Sequence, residues 1–95
     1  MKKAVDWDTS EFLGEDEAIR AYLSAALEEG DPVIINTALG NVAKAKGMTS
    51  LAHATGLSRD GLYKALSPNG NPSFGMVQKV LDVFNLRLDV VEVNK

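Results

Sequence analysis

Residues 48–67 constrain the fold most tightly, because two apolar blocks too short to persist as isolated helices flank the segment Gly56-Leu57-Ser58. A glycine enters positive φ without steric cost, so Gly56 can turn the chain sharply. Ser58 then stands ready to cap a new helix. Leu51, Leu57, Leu62 and Ala65 are spaced to anchor both blocks to one core, and Ala52 is small enough to let the two helices cross closely. The pattern predicts a helix-turn-helix over residues 49–66: a helix over 50–55 capped by Thr49, then one over 59–66 capped by Ser58. Thr55 departs from the pattern, since the position before the turn glycine is usually apolar.

The flanking sequence reads as three more helices. Ala18, Ile19, Tyr22, Leu23, Ala26 and Leu27 recur at helical spacing over 15–29, with Glu15, Asp16 and Glu17 complementing the positive end of the dipole. Asp31-Pro32 is a cap followed by a first-turn proline. It opens a helix that buries Ile35, Ala38, Leu39, Val42 and Ala43 and stops at Gly47. After the turn Ser67-Pro68-Asn69-Gly70, Asn71-Pro72 is expected to open a last helix with Phe74, Val77, Val80, Leu81 and Phe84 inward. Leu86, Leu88 and Val90 then alternate with Arg87 and Asp89, a strand pattern. A lone strand is not stable, so it must pair with a second copy, a partner's sheet or the N-terminal arm. The expected fold is mainly α: an arm over 1–14, a five-helix domain over 15–85, and a short C-terminal β-strand over 86–95.

Composition removes several functions. A chain of 95 residues with no cysteine and one histidine has no disulfide and no thiolate metal site. No nucleophile–base pair, metal-ligand cluster or glycine-rich phosphate loop is present, so neither catalysis nor a cofactor is expected, and His53 reads as a surface residue. No signal-peptide run or membrane-length apolar stretch occurs, which predicts a cytoplasmic protein with no membrane partner. The net charge of −3 conceals a division. Residues 1–31 hold three Lys/Arg against nine Asp/Glu, whereas residues 32–95 hold seven against four. Phosphates sense the field within a Debye length, roughly 8–10 Å, so the basic portion suits a nucleic acid and the acidic portion a basic protein.

Once the anchors are assigned, Ser58, Arg59, Asp60, Tyr63 and Lys64 remain for the outward face. Arg59 can form a bidentate bond to guanine, and Ser58 can reach a base edge or phosphate. Tyr63 suits a phosphate or a thymine methyl, and Lys64 a phosphate. Asp60 can accept from cytosine or pair with Lys64 four residues on. Thr49 and Ser50 at a helix N-terminus, and Asn69 in the following turn, are expected to support them on phosphate. The expected ligand is double-stranded operator DNA, bound by a homodimer on a pseudo-palindrome.

The run Asp31-Pro32, Ala38-Leu39, Val42-Ala43, Gly47-Met48, Leu51-Ala52, Thr55-Gly56-Leu57-Ser58-Arg59, Leu62-Tyr63-Lys64-Ala65-Leu66 and Gly70-Asn71-Pro72-Ser73-Phe74 resembles the addiction-module antidote proteins, HigA-like antitoxins with a lambda-repressor-like helix-turn-helix. The resemblance covers about residues 12–90. It implies a second activity, neutralising a basic HigB-like toxin of the RelE/ParE superfamily, with repression of the shared operon. Trp7 lies off the family pattern, as a toxin-facing anchor or a core-capping aromatic. Competing readings are a stand-alone phage- or plasmid-type repressor, a helical protein-interaction domain, and an enzyme or enzyme subunit.

Overall fold

The computed structural model describes residues 16–93, which form five helices. Helix α1 (Asp16–Glu29) buries Ile19, Leu23 and Ala26 along one stripe and carries Asp16 and Glu17 in its first turn. On its solvent side Arg20 donates to Glu17 at 2.6 Å, and this hydrogen bond and the guanidinium charge hold the Glu17 carboxyl below its ordinary range. Both side chains are exposed, so the pair contributes little to stability. Helix α2 (Pro32–Lys46) starts as expected, with the Asp31 carboxylate accepting from Val33 N–H at 2.9 Å and proline in the first turn. Tyr22 and Asn41 tie α1 to α2, the amide donating to the phenol oxygen at 2.7 Å.

Helix α3 (Met48–Thr55) is the hub, packing against α2, α4 (Arg59–Ala65) and α5 (Phe74–Val83). Val42, Leu51, Leu62 and Val80, one from each of these four helices, have no exposed surface. The start of α3 corrects the expectation: Thr49 is not the cap. Gly47 holds that position with no side-chain cap bond, and the helix begins at Met48. Met48 is buried in the core, and its burial draws the first turn into register.

The last helix also differs from the sequence reading. Asn71-Pro72 does not open α5; Ser73 does, its hydroxyl accepting from Met76 N–H at 3.0 Å. The preceding turn is tied elsewhere, because buried Asn36 donates its amide to the Gly70 carbonyl at 2.8 Å. A Cβ on Gly70 would collide with the carbonyl oxygen of Ala65, so no larger residue fits. The chain can enter a helix only after leaving this anchor. Phe74, expected inward, is 66% exposed, standing in the first turn of α5, while Val80 and Leu81 further along carry the burial.

No strand forms among the described residues. The expected strand over 86–95 runs on from α5 without regular structure, Leu86 and Leu88 packing on the core. Its physical reason is that the described residues hold no second extended segment with which to build a ladder. The arm over 1–14, with Trp7, lies outside the described residues.

The Asn36–Gly70 bond gives a direct test of this packing. Asn36→Ala should cost about 1–2 kcal/mol, read as a fall in Tm of roughly 4–8 °C per kcal/mol. Unchanged thermal unfolding would show that the bond does not hold the turn.

Candidate nucleic-acid interface

The turn between α3 and α4 is built from local chemistry. Gly56 adopts a left-handed conformation at φ 75°, ψ 12° and donates its N–H to Ala52 O at 2.9 Å. Thr55, which departed from the apolar expectation, has a specific use here. Its hydroxyl donates to Leu51 O at 2.8 Å and accepts from Leu57 N–H at 3.3 Å, bracing both sides of the bend. Ser58 then caps α4 as expected, its Oγ accepting from Gly61 N–H at 2.9 Å. The helix ends at Ala65, one residue short of the expected limit, with buried Leu66 closing it through its N–H to Leu62 O.

Burial of Leu62 and Leu66 sets the rotation of α4 about its axis. That rotation leaves Ser58, Arg59, Asp60, Tyr63 and Lys64 exposed. The Arg59 guanidinium lies 5.6 Å from the centroid of the Tyr63 ring, and Tyr63 itself is 43% exposed. This cation–π contact restricts a long side chain that would otherwise sample many rotamers. Asp60 and Lys64 form no ion pair with each other among the described residues. Both charges therefore remain available.

Thr49 and Ser50 are exposed in the first turn of α3, and their hydroxyls make no hydrogen bond among the described residues. They line an open groove of about 750 Å³ with Lys46, His53, Leu57 and Val83. Lys46 was not among the expected site residues; its place just before Gly47 is the signal that brings it beside Thr49 and Ser50. Asn69 is exposed on the turn that Asn36 anchors, and Gly70 N–H donates to Ser67 O within that turn. Sequence reasoning missed Asn36, since a polar residue beside an apolar helical stripe gives no hint of a partner 34 residues away. Among the described residues no group of His, Asp or Glu could hold a metal ion, and no helix is long and apolar enough to cross a membrane.

Residues 3–92 match the family model described as "Probable addiction module antidote protein". The chain belongs to that family. It is similar to an uncharacterized protein of Haemophilus influenzae, with 45% identity over 85 residues, covering 90% of this chain and 88% of that protein. No solved structure matches. As an addiction-module antidote the chain has a toxin as its counterpart, and membership points to a regulatory rather than a catalytic part.

The two expected caps of the helix pair now separate in a measurable way. Ser58→Ala should lower stability by about 1 kcal/mol, within the 0.5–2 range for lost caps. Thr49→Ala, at a position that caps nothing, should stay within about 0.5 kcal/mol of the parent. Denaturant unfolding of the two variants side by side checks both, and equal losses would contradict the assignment of Gly47 as the cap.

Proposed function

We propose that this antidote binds double-stranded operator DNA as a homodimer, with α4 in the major groove, and neutralises a basic HigB-like toxin of the RelE/ParE superfamily. The pair represses its own operon. The observation that carries the DNA reading is the division of α4: Leu62 inside, with Arg59 braced over Tyr63 outside. In this reading α3, turn and α4 make a lambda-repressor-like helix-turn-helix, and the free ridge is the surface that enters the groove. Arg59 reads guanine O6 and N7, where a bidentate bond contributes about 1–3 kcal/mol of discrimination.

Ser58 and Asp60 address neighbouring base edges, and Tyr63 meets a phosphate or a thymine methyl. Lys64 and Asn69 position the helix on the backbone. Thr49 and Ser50 offer free hydroxyls and first-turn N–H groups to a second phosphate, with Lys46 beside them supplying charge.

Support for the toxin reading comes from family membership together with the acidic character of α1 and its exit, where Asp16, Glu17, Glu28, Glu29 and Asp31 are all exposed. Only Glu17 has an ion-pair partner among the described residues. A basic toxin approaching this side meets a field of the opposite sign, while DNA meets Arg59 and Lys64 on α4 and Lys46 at the end of α2. The two ligands thus address different portions of one small domain. Family membership favours this reading over a stand-alone repressor.

A mobility shift with a duplex from just upstream of the gene tests the proposal. Arg59→Ala should weaken specific binding about 5- to 150-fold, equivalent to the 1–3 kcal/mol above, with helicity by circular dichroism unchanged. Lys64→Ala should lower the salt slope of binding by about one unit at most. Parental affinity of the Arg59 variant would remove α4 from the interface.

A further inference from the structure

The C-terminal segment has the properties of half a ribbon. At Asn85 the backbone turns through φ 60°, and Leu86 N–H donates back to Leu81 O at 3.0 Å. From there burial alternates: Leu86 and Leu88 rest on the core, while Arg87 and Asp89 are exposed. Val90 N–H is satisfied by the Asp89 carboxylate at 2.8 Å. By contrast, the N–H groups of Arg87, Leu88 and Asp89 find no acceptor among the described residues. Val90, Val91 and Val93 are 93%, 74% and 73% exposed, with no described residue covering them. Such a segment, with open backbone donors and bare valines, is a template for another strand.

We propose that residues 86–90 pair with the same residues of a second copy, as a two-stranded antiparallel ribbon centred on Leu88. The occupant is argued from charge complementarity and register. With Leu88 opposite its own copy, Arg87 faces Asp89 of the second copy and Asp89 faces its Arg87, giving two symmetric ion pairs. Leu86 then faces Val90, covering a valine that the described residues of one chain leave exposed. Centring the ribbon on Arg87 or on Asp89 instead would set like charges opposite each other, which destabilises a pair. A two-fold interface is self-complementary by necessity, and this five-residue stretch meets that requirement at every position.

Hydrogen bonding agrees with the same register. In an antiparallel ladder one residue parity bonds across and the other points away. Arg87 and Asp89 bond across. Leu86, Leu88 and Val90 point away; the N–H groups of Leu86 and Val90 are already satisfied within the chain, and that of Leu88 is left to solvent. Because a bare two-stranded ribbon is marginal, the contacts of Leu86 and Leu88 with each core are what hold it in place.

This deepens the homodimer proposed above, and its test uses the full chain alone, without DNA or toxin, so that failure here leaves operator binding to be judged separately. Sedimentation equilibrium should show a dimer. Arg87→Asp should weaken it about tenfold by placing like charges opposite each other at two sites, and adding Asp89→Arg should restore it. The chain has no cysteine, so Leu88→Cys should give a disulfide-linked dimer on oxidation, at a separation that a non-hydrogen-bonded pair allows. Val90→Cys, facing leucine, should not. Circular dichroism confirms that each variant folds. A monomeric parent, a dimer indifferent to the charge reversal, or a double variant that stays weakened would overturn the proposal. So would variants that keep the dimer but lose co-purification with the toxin, since that outcome assigns the segment to toxin binding.

Discussion

Four side chains meeting in one place hold this domain in register. Val42, Leu51, Leu62 and Val80 arrive from four different helices and exclude solvent completely. Leu51 belongs to α3, the element that touches the other three. Truncating a buried leucine to alanine costs about 2–5 kcal/mol, a large share of the roughly 5–15 kcal/mol that a small domain has in total. The consequence extends beyond stability. With Leu62 fixed in the core, α4 cannot rotate, and the side on which Arg59 and Tyr63 stand is decided. Helix α4 is only seven residues long, so its own hydrogen bonds could not impose that orientation.

A second layer of control is polar and local. Gly56 supplies the bend, Thr55 braces it from both sides, and Ser58 satisfies the first turn of the helix that follows. Asn36 does for the next turn what Thr55 does for this one, reaching from α2 to the Gly70 carbonyl and fixing the loop that bears Asn69. These contacts make the surface of the helix pair rigid before any ligand arrives, which reduces the ordering cost of binding. The charge division adds direction, with the acids gathered around α1 and lysine and arginine around the helix pair. Under the proposed function, toxin and DNA would meet opposite fields on one small domain.

How much of this could be read from the chain depends on the range of each interaction. The caps at Asp31 and Ser58 and the left-handed Gly56 were legible because each involves residues adjacent in sequence. Thr49 and Asn71-Pro72 looked equally good as caps and failed, since Met48 burial and the Asn36 anchor come from elsewhere in the fold. Phe74 carried the right hydrophobicity at the wrong place, in the first turn of its helix. The eight polar residues expected at the interface are all exposed. Exposure was the legible part, because helical spacing separates an anchored face from a free one. The stacking of Arg59 on Tyr63 and the company Lys46 keeps with Thr49 and Ser50 needed coordinates. Residues 86–93 mark the limit, because a strand pattern states a need for a partner without naming one.

We propose that the free ridge of α4 is a DNA-reading surface. Its most direct measurement is an NMR titration of the isotope-labelled chain with a duplex from immediately upstream of the gene. Shift changes should gather at Ser58, Arg59, Tyr63 and Lys64, with Thr49, Ser50 and Asn69 following and α1 unmoved. Changes confined to α1, or a spectrum that stays the same at saturating duplex, would contradict it.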